Sequence, residues 1–214
     1  MNALGLLEVY SFTTTVYAAD LMAKTADVKV IAFDRNRPKS ADAPAPLVMV
    51  IKVEGDVAAV REAIEVGKAY AKAEGKYIVS HIIPRPGTDV EKMAYLLDIN
   101  RDKYNKKLPK SFLNSTEEVP NVDFSIGLLE ISGHAASVTA LDAMLKAAEV
   151  RLIHIEMRLG GRLVTLIVKG SVSAVQAAVE AGEKIGAPLG EVFGKAVIAN
   201  PHGEIMKFFD YENL

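Results

Sequence analysis

Leu4-Gly5-Leu6-Leu7-Glu8 and Ile126-Gly127-Leu128-Leu129-Glu130 are one short strand written twice, 122 residues apart. Working outward at the same offset, Val16, Ala18, Asp20, Met22, Lys24, Ala26, Val28 and Ile31 recur as Val138, Ala140, Asp142, Met144, Lys146, Ala148, Val150 and Ile153. Twelve of the 31 positions from 4 to 34 are identical, against about two or three expected by chance at ordinary composition. Past residue 34 the offset falls to 115, where Gly55, Val57, Val60, Ala63, Glu65, Gly67, Gly75, Ile83, Pro86 and Lys92 recur as Gly170, Val172, Val175, Ala178, Glu180, Gly182, Gly190, Ile198, Pro201 and Lys207. The first copy therefore carries seven extra residues between Asp34 and Gly55. A self-match at fixed offset marks duplication. We expect a first domain over 1–97, a polar linker over 98–123 and a second domain over 124–214.

Each copy reads β-α-β-β-α-β. Residues 3–12 hold strand formers, and Thr13-Thr14-Thr15 offers capping hydroxyls to an Ala-rich helix ending near Ala26. Val28 to Phe33 and the β-branched run Leu47 to Val53 read as strands. Gly55-Asp56 turns into a helix with Val57, Val60, Ile64 and Tyr70 on its apolar side, and Tyr77 to Ile83 is a last strand halted by Pro84-Arg85-Pro86. The second copy repeats the order, with strands at 125–131, 150–156, 163–169 and 192–198 and helices at 137–148 and 171–185. This order predicts an α+β fold of two ferredoxin-like units, each an antiparallel sheet with two helices on one face. Short segments at 88–97 and 203–209 have helical apolar spacing.

Composition removes whole classes of function. The 214 residues carry a net charge of −2, with no Cys and no Trp, so nothing draws the chain generally to nucleic acid or an anionic membrane. Without Cys there are no disulfides, thiolate nucleophiles, Cys-ligated zinc or Cys-held iron–sulfur clusters. The first residues lack a basic start, and Glu8 breaks their apolar run, so no signal peptide is expected. No apolar run is long enough to span a bilayer. A cytosolic protein follows as the expectation.

No catalytic apparatus is visible. Phosphate-cradling, dinucleotide, zinc-protease and nucleophile-elbow motifs are all absent. His81, His134, His154 and His202 are scattered, without ligand spacing. Gly182, Gly186, Gly190 and Gly194 recur every four residues, but Pro188 among them favours a helix end followed by turns. Glu8 and Glu130, like Asp20 and Asp142, occupy equivalent places in both copies. Residues kept in both halves serve something common to both, such as packing or an edge. We expect no enzyme, no cofactor and no metal.

In its ordered motifs the chain resembles the bacterial microcompartment shell domain, twice over. The family's aliphatic-Gly-aliphatic-aliphatic-Glu strand is the quoted pair. Its Ala-Asp-x-Met-x-Lys-x-Ala helix corresponds to Ala19 to Ala26 and Leu141 to Ala148. Its Gly-Asp-Val-x-x-Val helix start and Ile-Pro-Arg-Pro close correspond to Gly55 to Val60 and Ile83 to Pro86. The resemblance implies an unpermuted tandem shell protein that trimerises into a pseudohexameric tile and joins other shell proteins around an enzyme core. It implies tile-edge contacts at Lys24, Lys146 and Arg85. The second copy departs from the pattern, since Asn200 stands where Arg85 does and cannot supply a guanidinium.

By the same resemblance the loop after the second strand lines a pore. Copy two has Met157-Arg158-Leu159-Gly160-Gly161-Arg162 there, with paired glycines that allow close backbone approach. Copy one has the longer 35–46 loop, where Arg35, Arg37 and Lys39 outnumber Asp42 and three prolines stiffen the chain. Threefold repetition of this loop would favour passage of anionic metabolites. The alternatives are a surface loop away from the axis and, for the whole chain, a small-molecule-binding regulatory module on a trimeric ferredoxin-like scaffold. Some unpermuted tandem members hold an iron–sulfur cluster at the pore through Cys, which this chain lacks.

Overall fold

In the computed structural model, which describes residues 2–88, 90, 94, 122–157 and 162–209, the two copies fold into two matching layers. The first comprises β1 (Ala3–Tyr10), α1 (Phe12–Thr25), β2 (Val28–Asn36), β3 (Val48–Gly55), α2 (Val57–Ala73) and β4 (Tyr77–Ile83). The second comprises β5 (Ser125–Ser132), α3 (His134–Ala147), β6 (Arg151–Glu156), β7 (Leu163–Gly170), α4 (Val172–Gly186), β8 (Val192–Ile198) and the short α5 (Gly203–Met206). Strand orders are β2-β3-β1-β4 and β6-β7-β5-β8, with antiparallel neighbours throughout. This is the expected ferredoxin-like arrangement, made twice.

Alternation along β1 decides which side chains meet the helices. Leu7 pairs with Ile51 and Val9 with Met49, and all four are buried with Phe12, Met22, Val60 and Ile64. In the second layer Leu129, Leu166 and Val168 pack with Ala140, Met144, Ala178 and Val179. The repeated Gly67 and Gly182 let paired helices close up on each other. A Cβ on Gly67 would lie 2.6 Å from Met22 Sδ, and one on Gly182 would lie 2.5 Å from Met144 Cγ. Both distances are below any real carbon contact, so neither position admits alanine without displacement.

Element edges differ from the sequence reading in instructive ways. Ser11, rather than the threonines, caps α1: its Oγ accepts from the Thr14 amide at 3.5 Å, with its backbone at φ 75°. Thr13, Thr14 and Thr15 are buried in the first turn, and Thr15 Oγ1 donates back to the Ser11 carbonyl. In the second copy Gly133 occupies the cap position, with no side-chain capping bond, and α3 starts at His134, one turn earlier than expected. β2 runs on to Asn36 because Arg35 and Asn36 still pair with Met49 and Val48. Of the glycine row, Gly182 and Gly186 lie within α4, where they pack against Met144 and Ala140 of α3, Gly190 follows in the turns around Pro188, and Gly194 lies inside β8. The 203–209 segment is helical over 203–206 and then turns. The 98–121 part of the linker lies outside the described residues. Of the 89–97 segment only Val90 and Ala94 are described, and they pack with Leu4, Leu6, Ile31 and Ile83.

Candidate functional site

The chemistry of this chain gathers where its two layers meet. α1 of the first layer packs against β5, β8 and α5 of the second. Glu130, fully buried on β5, reaches the N-terminus of α1. One carboxylate oxygen accepts from Ser11 Oγ at 2.5 Å and the Thr13 amide at 2.9 Å, and the other accepts from the Phe12 amide at 3.2 Å. A helix N-terminus presents unpaired amides with partial positive charge, so a carboxylate is the fitting partner. Beside it, Gly194 on β8 lets α1 approach. A Cβ there would sit 2.9 Å from Thr13 Cβ and 3.0 Å from Ser11 Oγ.

Farther along α1, Asp20 pairs with Lys24 at 2.6 Å and accepts from the His202 amide at 2.7 Å. Lys24 Nζ also donates to the Ala199 carbonyl at 2.9 Å. At the other end of the seam Lys76 Nζ donates to the Phe193 carbonyl at 2.7 Å. Glu204 accepts from the Val30 amide at 2.7 Å, where β2 shifts register against β3. Phe208 lies on Phe33 with ring centroids 4.5 Å apart. The duplicated carboxylates thus include two, Glu130 and Asp20, that join the halves of the chain.

The same residues in the other copy face outward. Val16 on α1 is 0% exposed, whereas Val138 at the same place on α3 is 55% exposed. The Asp20 side chain is 4% exposed, and that of Asp142 is 60% exposed. Asp142 pairs with Lys146 at 2.7 Å, an isolated surface pair where Asp20 and Lys24 sit in a network. Arg85 and Asn200, equivalent across the repeat, are both exposed on turns after the last strands, and Asn200 has a positive φ of 45°.

The hairpin loops take different forms. Arg35, Arg37, Lys39 and Asp42 are exposed, while Ala45 and Leu47 anchor the end of the loop in the core. None of the three basic residues pairs with an acid among the described residues. Asp42 is held by Ser40, whose Oγ accepts from the Asp42 amide at 3.1 Å. Arg37, Pro38, Lys39 and Ser40 line a cleft together with Glu191 and Phe193 from the second layer, so the loop borders the seam. Of the second loop, Met157 is exposed and Arg162 ends it at φ 64°, its carbonyl accepting from the Gly133 amide at 2.8 Å. Arg158, Leu159, Gly160 and Gly161 lie outside the described residues.

One buried ion pair and one buried histidine–carboxylate contact leave no mark in the sequence. Lys52 on β3 meets Asp34 on β2 at 2.7 Å, both largely buried. In the second copy Ile167 replaces the lysine, and His154 Nε2 instead approaches the fully buried Glu156 at 3.5 Å. Among the described residues no group of three or more His, Cys, Asp or Glu could hold a metal ion, and no helix is long and apolar enough to cross a membrane.

Two tandem ferredoxin-like layers, joined by the repeated carboxylates Glu130 and Asp20, define a shell-type building block. The chain belongs to the BMC domain family, whose model matches residues 3–86 and again 125–201, and it is a bacterial microcompartment shell protein. It is 35% identical over 205 residues to the carboxysome assembly protein CcmO of Synechococcus elongatus, covering 96% of this chain and 67% of that protein. Single-domain relatives match one copy. The shell protein PduA of Salmonella typhimurium is 42% identical over 83 residues, 39% of this chain and 87% of that protein. The shell protein EutM of the same organism is 39% identical over 85 residues, 40% of this chain and 88% of that protein. The crystal structure of a trimeric shell protein, PduB, shares the fold with a TM-score of 0.53 at 19% identity, over 87% of this chain and 77% of that one. These relatives are shell or assembly proteins rather than enzymes, and shell proteins associate with other shell proteins.

Proposed function

We propose that three chains close into a pseudohexameric tile, with the two hairpin loops of each chain around a central pore. The observation that carries this reading is the unequal burial of equivalent residues, Val16 against Val138 and Asp20 against Asp142. The seam inside the chain is heterologous: it joins the β5–β8 side of one layer to the α1 side of the other. Such a contact leaves its complement on both ends, and repetition builds a ring if the rotation closes. The complement is β1–β4 with Glu8 at one end and α3 with Val138, Asp142 and Leu145 at the other. Covering side chains such as Val138 and Leu145 contributes roughly 1–3 kcal/mol each. By the repeat correspondence, Asp142 would accept from the Gly87 amide of the next chain, and Lys146 would donate to its Pro84 carbonyl. Closure after three chains follows the solved relative PduB, which is described as trimeric.

Lys24, Lys146, Arg85 and Asn200 then fall on the rim, where tiles meet. Alternate edges would differ, Arg85 offering a guanidinium and Asn200 an amide. Arg35, Arg37 and Lys39 of the first loop and Arg158 and Arg162 of the second would give the pore a preference for anionic metabolites. Native mass measurement tests the assembly: three chains of 23.1 kDa give about 69 kDa, and a stable single chain would sink the tile.

A further inference from the structure

We infer that this chain specifies the alternating order of its domains by exchanging side-chain volume across two unlike seams. The partner that fits its open β1–β4 face is therefore the α3 end of a second copy, and not another α1. The inference rests on the tile reading and adds to it which surfaces can meet.

Inside the chain, the surface that receives a helix is empty and the helix is bulky. Gly194 faces Ser11 and Thr13, with no room for a Cβ. At the open seam both terms are reversed. Val79 stands where Gly194 does, opposite Glu8 on β4 as Gly194 is opposite Glu130 on β8, and it is 48% exposed. The helix that would meet it begins Gly133-His134-Ala135 in place of Ser11-Phe12-Thr13. Valine against glycine and alanine fills the space that glycine fills against serine and threonine. Valine against Ser11 and Thr13 would overlap, and Gly194 against Gly133 and Ala135 would leave a void, so both like-with-like seams are disfavoured.

Packing within the chain does not demand the small residue at 133. A Cβ on Gly133 would meet Arg162 Nη2 at 3.5 Å and Ala136 Cβ at 3.9 Å, both ordinary contacts. Its φ of 93° is one that residues with a side chain rarely adopt, so glycine there answers to the backbone as well, and the volume exchange rests on Ala135 against Thr13 and on Val79 against Gly194. The carboxylate device is shared by both seams: Glu8 would accept from the His134 and Ala135 amides, as Glu130 does from Phe12 and Thr13. A charged position differs, since Glu191 replaces Lys76. A carboxylate cannot donate to the carbonyl of Ile78, the equivalent of Phe193, so the Lys76 bond exists in one seam only.

The test uses the full chain with Gly133→Ser and Ala135→Thr, which give α3 the start of α1. Native mass and sedimentation should show trimer association weakened at least tenfold, with the circular dichroism of the chain unchanged. Adding Val79→Gly should restore it. Val79→Gly alone, which leaves a gap at an exposed site, should also weaken association, and it keeps the test valid if the double variant does not fold. If the unaltered chain forms no trimer, the tile reading fails first. If it does, and neither Val79→Gly nor the double variant changes association, the volume exchange is overturned while the tile stands.

Discussion

Glu130 binds three donors of another layer while fully buried, so its geometry leaves no tolerance for an amide. Glu130→Gln turns an NH2 group toward amide hydrogens, and we expect a loss of about 2–3 kcal/mol in urea unfolding. Lys52→Met should cost about 3–5 kcal/mol by the same measurement, because it removes the cation paired with Asp34 in the interior. Tyr70, stacked on Tyr17 at 4.5 Å, has its phenol pushed up chiefly by burial, then by Glu74 and Tyr17. In the unfolded chain that phenol ionises near pH 10, so above this pH the unfolded state holds fewer protons than the folded one. Stability should therefore fall as pH rises past about 10. Tyr70→Phe should move the alkaline unfolding midpoint upward, as followed by phenolate absorbance. At this scale the sequence shows that Glu8/Glu130 and Asp20/Asp142 are shared, since the repeat pairs them. It cannot show which of them join the layers, because the donors that Glu130 and Asp20 reach across the seam, Thr13 and His202, lie more than 100 residues away. The Asp34–Lys52 pair was illegible for another reason: Ile167 breaks the repeat at its second member.

Elements were more legible than their ends. Runs of strand formers, bounded by turn residues and repeated in the second copy, place the eight strands of the described residues, and β4 and β8 match the expected bounds, Tyr77–Ile83 and Val192–Ile198. Cap choice was less legible. Three threonines compete with one serine as capping acceptors, and the serine wins because Glu130 and the Leu47 carbonyl, which accepts from the Ser11 amide at 3.1 Å, hold it from outside the helix. The hairpin loops are the elements whose chemistry the tile would use. Replacing Arg37 and Lys39 by Gln should lower anion conductance through reconstituted tiles without changing their mass. Equal passage of cations and anions through the unaltered protein would remove the electrostatic part of the pore proposal.

Taken whole, the chain is a duplicated layer whose copies have been assigned different contacts. α1 is covered within the chain, and the matching face of α3 is left open. That asymmetry could not be read from the repeat, since identical residues such as Val16 and Val138 give no sign of which one is buried. Tile-to-tile contacts belong to the same scale. Lys24→Ala with Lys146→Ala should disperse sheets seen by electron microscopy, and Arg85→Asn should weaken the edge it occupies toward that of Asn200. Lys24 also bonds to the Ala199 carbonyl, so its substitution alone should cost about 1 kcal/mol at the internal seam, while Lys146→Ala should leave the isolated chain unaffected.

The most direct measurement exploits the absence of cysteine. Val79→Cys with Ala135→Cys introduces two thiols on the faces that the ring would bring together. The equivalent internal positions, a Cβ built on Gly194 and Thr13 Cβ, lie 2.9 Å apart, and a disulfide needs its Cβ atoms about 3.5–4.5 Å apart. Only a small adjustment separates the two. On mild oxidation the account predicts a covalent species of three chains, about 69 kDa from 23.1 kDa each, that reverts on reduction. A product that stays at the mass of one chain under the same conditions would contradict it.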